Sequence, residues 1–148
     1  MEASEYVIQT VIPKLEVAME FLKNNDLDHG YGRYCRKRGD RYELCSMGAL
    51  YLSGKINEND LTLEERLDNM QSLDLDKSFK GVWQDMGLRP VYIQNTSTYS
   101  HSSHIAVKIT IWNDASHSNG IKDVIDKLKN LAETSPEVFC FGIEDAPI

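Results

Sequence analysis

Cys45 is the residue of this sequence best suited to chemistry. It lies where a predicted strand ends and a predicted helix begins, so the helix dipole and unpaired backbone amides would stabilise its thiolate. A cysteine nucleophile needs a base, and His117 lies close in sequence to Asp114, which could orient it. This pattern predicts, as one alternative, a cysteine-dependent hydrolase or transferase that uses Cys45, His117 and Asp114.

Two other histidines, His101 and His104, are weaker candidates for the base. They precede residues 105–111, whose alternating apolar side chains predict a half-buried strand. At ~3.3 Å per residue such a strand would hold His104 about 30 Å from Asn113. These two residues are therefore not expected to act together.

A structural interpretation of Cys45 is favoured over the catalytic one. Cysteine commonly behaves as a small buried apolar residue, and the small Gly48 and Ala49 that follow would allow close packing against the predicted 105–111 strand. Asn113 and Asp114 are then expected to bind backbone groups of the adjoining loops. On this interpretation Cys45→Ser costs about 1–3 kcal/mol if the hydroxyl finds no acceptor.

Metal ligands are present in the sequence, but their spacing is unsuitable. His101-Ser-Ser-His104, Cys35 and Cys45 carry the donor atoms that zinc prefers. The two cysteines are ten residues apart, and a serine-rich loop does not by itself hold two histidines as ligands. We therefore predict no metal site, and no cofactor.

A basic segment interrupts an acidic chain. The net charge is −7, whereas residues 33–41 sum to +4, which leaves −11 for the remainder. Arg38-Gly39-Asp40 predicts the turn of a hairpin over residues 33–45. Arg36, Lys37 and Arg38 could bind an acidic protein or a phosphate backbone, although a solvated hairpin tip is the simpler alternative.

Trp112, Asn113 and Asp114 form a second candidate binding segment. They close the predicted 105–111 strand, and Asn and Asp favour turns because their side chains bind nearby backbone amides. Trp112 is either a lid on the core or an exposed anchor for a partner. The structural interpretation is again the favoured one.

The pattern of elements predicts a single compact α+β domain over residues 1–148, with about five helices around a small, mostly antiparallel sheet. Helices are predicted at 11–24, 46–53, 62–71, 76–86 and 121–132. Thr62 and Glu65 form a capping-box pattern at the start of the third. Besides the hairpin, strands are predicted at 90–94, 105–111 and 138–141. The segment 5–12 is left open between a strand and a helical turn, because Pro13 interrupts the pattern.

Composition limits where the protein works. Hydrophobic residues make up 41% and charged residues 26%, which is typical of a globular domain. No apolar run reaches the ~18 residues that a membrane helix needs, and the acidic start of the chain is unlike a secretory signal. Three cysteines are an odd number, which favours a reducing compartment and predicts a cytoplasmic protein.

The motifs together resemble those of a family of small uncharacterised proteins from actinobacteria and phages. The likeness covers residues 15–133 and consists of His29-Gly30-Tyr31, Cys45-Ser-Met-Gly48-Ala49-Leu50 and Trp112-Asn113-Asp114. It departs from the family pattern at Tyr31, where Trp is usual, and in an insert at 72–103 that contains a polar, exposed loop at 96–103. The resemblance implies that Cys45, Gly48, Ala49, Asn113 and Asp114 form one spatial cluster.

The sequence therefore predicts a binding protein, with an enzyme as the alternative. The expected function is contact with a host macromolecule that modulates or inhibits it, in a protein that the family's phage members suggest is virus-encoded. The expected partner is a protein, and nucleic acid bound by the 33–41 hairpin is the second possibility. A pocket for a small ligand between the Cys45 and Trp112–Asp114 motifs is a third.

Overall fold

The computed structural model describes residues 1–55, 60–94, 102–116 and 119–142 of the 148-residue chain. Its α-helices are α1 (Ala3–Tyr6), α2 (Ile12–Asn24), α3 (Ser46–Gly54), α4 (Leu63–Met70), α5 (Leu73–Asp76), α6 (Phe79–Asp85), α7 (Ile105–Ala115) and α8 (Gly120–Thr134). Its strands are β1 (Asp28–His29), β2 (Cys35–Arg38), β3 (Arg41–Leu44), β4 (Val91–Gln94), β5 (Ser102–His104) and β6 (Phe139–Phe141). The predicted α+β class is confirmed, with two small three-stranded sheets instead of one.

The N-terminal segment is helical throughout, which resolves the open alternative for residues 5–12. Between α1 and α2 the helix widens to a π-helix over Val7–Val11. Pro13, at the start of α2, has no N–H to donate and its ring crowds the preceding turn, which accounts for the local rearrangement. Val7, Val11 and Leu15 nevertheless stay on one buried face.

The first sheet delivers Cys45 to the start of α3. Strands β2 and β3 form the predicted antiparallel hairpin, and Gly39 in its turn has a φ of 61°. Strand β1 pairs in parallel with the other side of β3, with His29 opposite Leu44. Cys45 follows β3 directly, so the chain turns there from the sheet into α3.

The predicted strand at 105–111 is wrong, because these residues form the first part of α7. The helix buries Ile105, Ala106, Ile109 and Asn113, which is a helical spacing. Ile111, which the alternating pattern placed inside, is 51% exposed. Branched side chains disfavour a helix only slightly, and burial of one face outweighs that preference.

Replacing this strand by a helix also shortens the distance between its two ends. At 1.5 Å per residue, the nine residues from His104 to Asn113 span about 14 Å instead of 30 Å. His104 is the N-cap of α7, where its Nδ1 accepts a hydrogen bond from the Ala106 amide at 3.0 Å. The helix includes Asn113 and Asp114 and ends at Ala115, so the loop that follows begins at Ser116.

The other predicted elements agree well with the structure. Thr62 and Glu65 form the predicted capping box of α4, and α8 covers the predicted 121–132 helix. The predicted 76–86 helix begins later than expected, at Phe79, and forms α6, whereas α5 ends at Asp76. In the second sheet β4 lies between β5 and β6, and both neighbours are antiparallel to it. Most of the predicted 96–103 loop lies outside the described residues, and its last two residues belong to β5.

One hydrophobic cluster joins the helices and both sheets. It includes Leu15 of α2, Met47 of α3, Trp83 of α6, Ile109 of α7 and Leu128 of α8. All five side chains are almost completely buried. Within the part of the chain that the structure describes, no helix combines the length and the apolar character needed to cross a membrane.

Candidate functional site

Asn113 connects three segments that are far apart in the sequence. It lies near the end of α7 and is completely buried. Its Oδ1 accepts hydrogen bonds from the Ser46 amide at 2.9 Å and the Ser46 hydroxyl at 2.6 Å. Its Nδ2 donates to the Gly30 carbonyl at 3.2 Å and to Asp114 Oδ1 at 3.0 Å. A buried amide whose donors and acceptor are all used fixes these segments relative to one another.

Asp114 extends this network to the surface. Its Oδ1 also accepts a hydrogen bond from the Gly32 amide at 2.9 Å, which ties the end of α7 to the loop between β1 and β2. Gly32 has a φ of 78°, a conformation that glycine adopts without strain. The expectation that Asn113 and Asp114 bind loop backbone groups is thus met by Gly30, Gly32 and Ser46.

Cys45 is buried and forms the N-cap of α3. Its Sγ accepts a hydrogen bond from the Gly48 amide at 3.4 Å, and the residue is only 4% exposed. Another segment packs closely against Gly48, as the small size of this residue predicted. That segment is not 105–111 but the backbone at Tyr34. A Cβ on Gly48 would lie 1.9 Å from the backbone oxygen of Tyr34, just before β2.

Cys45 and Asp114 line one cleft of about 670 Å³. The cleft lies beside the Asn113 network, between the loop before β2, the start of α3, the start of α6 and the end of α7. Its lining residues are Gly32, Arg33, Tyr34, Cys45, Gln71, Lys77, Ser78, Phe79, Thr110 and Asp114. We call it the Cys45–Asp114 cleft. Its volume is within the ~300–1,000 Å³ of typical binding sites.

The wall of this cleft carries groups of both charges. Arg33 is exposed, whereas Lys77 binds Asp85 with an Nζ–Oδ2 distance of 2.5 Å. The carboxylate of Asp114 is oriented by hydrogen bonds from the Gly32 amide and the Asn113 side chain. Phe79 contributes an aromatic ring that packs edge-on against Tyr34, with 5.9 Å between ring centroids. The cleft therefore offers charge, hydrogen-bonding groups and aromatic surface together.

His29 adjoins the Asn113 network, although it was not a predicted site residue. Its Nε2 is buried and has no hydrogen-bond partner among the described residues. The atom faces the start of α8 so closely that a Cβ on Gly120 would lie 1.8 Å from it. His29 belongs to the His29-Gly30-Tyr31 motif of the family resemblance. Nothing in that motif indicated a contact with Gly120, which lies 91 positions later in the sequence.

Burial lowers the pKa of His29 below its ordinary value. The Asn113 amide and the charge of Asp114 act in the opposite direction, as do the carboxylates of Asp123 and Glu43. Because burial is the largest of these effects, the neutral imidazole is favoured. Its edge packs against the ring of Tyr31, with 5.1 Å between centroids.

The predicted catalytic set is only partly within the described structure. His117 and His101 lie outside the described residues, so the proposed pairing of Cys45 with His117 stays a prediction. The ring of His104 is buried against those of Trp83 and Tyr92, at 5.7 and 5.2 Å. Neither His29 nor His104, the two histidines that the structure describes, lines the Cys45–Asp114 cleft.

Nearby carboxylates partly neutralise the basic hairpin. Arg38 binds Glu43 at 3.0 Å, and Arg41 binds Asp28 at 2.8 Å and Asp26 at 3.2 Å. Adding these three acids to the +4 of residues 33–41 leaves +1. The predicted positive surface is therefore smaller than the sequence suggested.

Three other residues of the predicted binding segments also make contacts within the chain. Lys37 lies over the ring of Tyr42, with its Nζ 5.2 Å from the centroid. Arg36 is half-buried and lies opposite Glu43 in the hairpin. Trp112 is half-buried and packs against the hydrophobic cluster, so it serves at least in part as a lid on the core.

Among the residues that the structure describes, no three His, Cys, Asp or Glu side chains lie close enough to hold a metal ion. Cys45 and Cys35 are both buried. The sulfur of Cys35 donates a hydrogen bond to the carbonyl of Leu67 on α4 at 3.4 Å. Cys35 does not line the Cys45–Asp114 cleft.

Comparison with known protein families, with curated proteins and with solved structures gave no match to this chain.

Proposed function

We propose that this protein acts by binding, and that a segment of a partner protein occupies the Cys45–Asp114 cleft. The observation that carries this proposal is the cleft itself, about 670 Å³ in volume and lined by both sequence motifs. Its mixture of guanidinium, carboxylate, hydroxyl and aromatic groups suits a peptide segment. A few convergent polar groups on an apolar wall are the usual composition of a binding site.

The state of Cys45 supports binding over catalysis. A catalytic thiol is generally accessible and near a base, whereas Cys45 is almost fully buried and uses its sulfur to cap α3. The second candidate, a hydrolase or transferase that uses Cys45, is favoured by the position of this residue in the cleft wall. Its base would be His117.

The partner that we propose is a protein, with nucleic acid less favoured. A net charge of −7 repels a phosphate backbone, and the carboxylates around the hairpin reduce its local charge to +1. The phage members of the family that the chain resembles support a virus-encoded protein that modulates a host macromolecule. We also propose a cytoplasmic location, which the odd number of cysteines in the sequence supports.

Affinity capture with charge-reversed variants tests this proposal. The protein would be immobilised and exposed to host lysate, and Arg33→Glu would be compared with Lys127→Glu, an exposed residue on α8. We expect one protein to be retained by the wild type and by Lys127→Glu and to be lost with Arg33→Glu. Retention of the same proteins by all three variants would contradict the proposal.

Thiol labelling distinguishes the enzyme from the binding protein. An unperturbed cysteine titrates near 8.5. Iodoacetamide labelling of the native chain across pH therefore reports the state of Cys45 when peptide mapping separates it from the partly exposed Cys140. We expect slow labelling at every pH at which the fold is intact. Rapid labelling of Cys45 below pH ~7 would favour the cysteine-dependent enzyme.

A further inference from the structure

Two of the charged side chains that line the Cys45–Asp114 cleft have no ionic partner. Lys77 is neutralised by Asp85, which it binds with an Nζ–Oδ2 distance of 2.5 Å. Arg33 and Asp114 form no ion pair with each other or with any other residue that the structure describes. The cleft therefore presents one cation and one anion whose charges remain available to a ligand.

The sequence neighbours of Arg33 and Asp114 do not compensate their charges either. Arg33 is the only charged residue between positions 30 and 35, and Asp114 is the only one between positions 109 and 116. The ring of His29 acts electrostatically with Asp114, but burial lowers the pKa of His29, so the neutral imidazole is favoured. Both side chains are exposed, so a ligand can reach them.

Asp114 is held in a fixed orientation with one oxygen atom unused. Its Oδ1 accepts hydrogen bonds from the Gly32 amide at 2.9 Å and from Asn113 Nδ2 at 3.0 Å. No described residue donates to its Oδ2, so this atom can accept a hydrogen bond without the loss of an existing one. Hydrogen bonds between an ionised acceptor and a cationic donor are stronger than those between neutral groups.

Arg33 lies close to this carboxylate along the chain. It follows Gly32 directly, and the Gly32 amide is bonded to Asp114, so both charges belong to the same part of the cleft wall. A guanidinium group binds a carboxylate through two parallel N–H bonds. The half-buried Phe79 adds aromatic surface to the same cleft. A complementary ligand therefore combines a cation, a nearby anion and an apolar group.

We propose that the segment bound in the Cys45–Asp114 cleft carries a basic and an acidic residue close together in its sequence, with an apolar residue beside them. This inference rests on the proposed function and names the chemistry of the partner segment. The basic side chain donates to Asp114 Oδ2, and the acidic side chain binds the guanidinium of Arg33. A segment with charges of one sign is a poorer occupant, because it brings like charges together in the cleft.

Peptide selection tests this inference. A displayed library of random dodecapeptides would be selected on the immobilised protein, and labelled peptides from the enriched set would be measured by fluorescence anisotropy. We expect the enriched peptides to place Lys or Arg within about four residues of Asp or Glu, since an extended chain spans ~3.3 Å per residue. Gln71→Trp fills part of the cleft without changing either charge, and should weaken binding roughly tenfold or more.

Variants that remove one charge each measure the two contacts. Asp114→Asn keeps an oxygen acceptor for the Gly32 amide and removes only the negative charge, whereas Arg33→Gln removes the positive charge. Each should weaken binding about three- to fivefold, the size expected of a partly exposed ion pair. Glu133→Gln and Lys127→Gln, at exposed positions on α8, are the matched controls and should bind the peptides as the wild type does.

Substitutions in the peptide assign each contact to its partner. Replacing the basic residue of an enriched peptide by Met should weaken binding as much as Asp114→Asn does, and the two changes together should add no further loss. Replacing the acidic residue by Gln should be coupled in the same way to Arg33→Gln and not to Asp114→Asn. Circular dichroism and thermal melting verify that each protein variant folds.

The outcomes distinguish failure of this inference from failure of the proposed function. Suppose that Gln71→Trp weakens binding while Asp114→Asn and Arg33→Gln do not, or that the enriched peptides carry charges of one sign only. The cleft is then a binding site, but its ligand does not have the chemistry inferred above. If no peptide is enriched, or if all three variants bind the peptides normally, the proposed function fails as well.

Discussion

Asn113 and Ser46, 67 positions apart in the sequence, are joined by two hydrogen bonds to a single oxygen atom. The Ser46 amide and hydroxyl both donate to Asn113 Oδ1, and both residues are completely buried. The Ser46 amide belongs to the first turn of α3, where backbone donors have no partner within the helix. The side chain of Asn113 thus supplies the acceptor that the Ser46 amide lacks within α3. It thereby holds Ser46, the residue next to Cys45, in place.

Asn113→Ala should be among the most destabilising single changes in this protein. It leaves the buried Ser46 amide and Gly30 carbonyl without their partner, and each such loss costs about 1–3 kcal/mol. We expect the free energy of unfolding to fall by at least about 2 kcal/mol in urea denaturation. Asn130→Ala, an exposed position on α8, is the matched control and should change it by less than about 0.5 kcal/mol. Equal effects of the two variants would contradict the assigned role.

Local signals predicted the elements whose ends are set by nearby residues. The capping pattern of Thr62 and Glu65 gave the start of α4, and the turn at Gly39 gave the hairpin. The 105–111 segment failed because Ile105 and Ile109 fit one side of a strand and also, together with Ala106, one face of a helix. A segment of seven residues is too short for periodicity to decide between them.

The candidate site was predictable in composition but not in geometry. Its sequence motifs identified Cys45 and Asp114, and the structure brings both to one cleft. Arg33, Phe79 and the contact of His29 with Gly120 depend on how distant segments pack. Such contacts leave no periodic signal in a single sequence.

Gly48→Ala and Gly54→Ala should change stability in opposite directions. A Cβ on Gly48 would overlap the Tyr34 carbonyl, a backbone atom that cannot move aside easily, whereas a Cβ on Gly54 meets open space. Overpacking costs about 1–3 kcal/mol, so Gly48→Ala should lower the melting temperature. Gly54→Ala should raise stability by up to about 1 kcal/mol, because alanine favours the helix. Similar melting temperatures for the two variants would argue against the close contact at Tyr34.

Cys45→Ser should retain most of the stability, which differs from the expectation based on the sequence alone. Because the Cys45 sulfur accepts the Gly48 amide, a serine hydroxyl can take over the same cap. Cys45→Ala removes the cap and should cost about 0.5–2 kcal/mol, measured by thermal unfolding. A stable Cys45→Ser is therefore no sign of catalysis. If Cys45→Ala were as stable as the wild type, the cap would have no energetic role.

Replacing Arg36, Lys37 and Arg38 by Ser tests the basic hairpin as a contact surface. Exposed ion pairs such as Arg38–Glu43 contribute about 0–1 kcal/mol, so the triple variant should fold with nearly normal stability. If the hairpin contacts an acidic partner, the captured complex should become weaker and less sensitive to salt. The measurement is the dissociation constant at two salt concentrations. Unchanged binding at both would exclude the hairpin from the interface.

His29 should make the stability of this protein sensitive to acid. The ordinary pKa of histidine in an unfolded chain is ~6.5, and burial holds it lower in the folded protein. Between these two values the unfolded state binds more protons than the folded state. The contribution of neutral His29 is therefore complete above pH ~6.5 and is lost progressively as the pH falls towards the folded pKa.

The position of His29 adds a reason for this sensitivity. Its buried Nε2 faces Gly120 at the start of α8, where the helix dipole disfavours a positive charge. Urea denaturation of the wild type and of His29→Gln at pH 7.5 and pH 5.5 measures the effect, and the wild type should lose more stability on acidification. Because carboxylates elsewhere titrate equally in both proteins, the difference between the two losses isolates His29. Equal losses would mean that His29 has the same pKa in the folded and the unfolded protein.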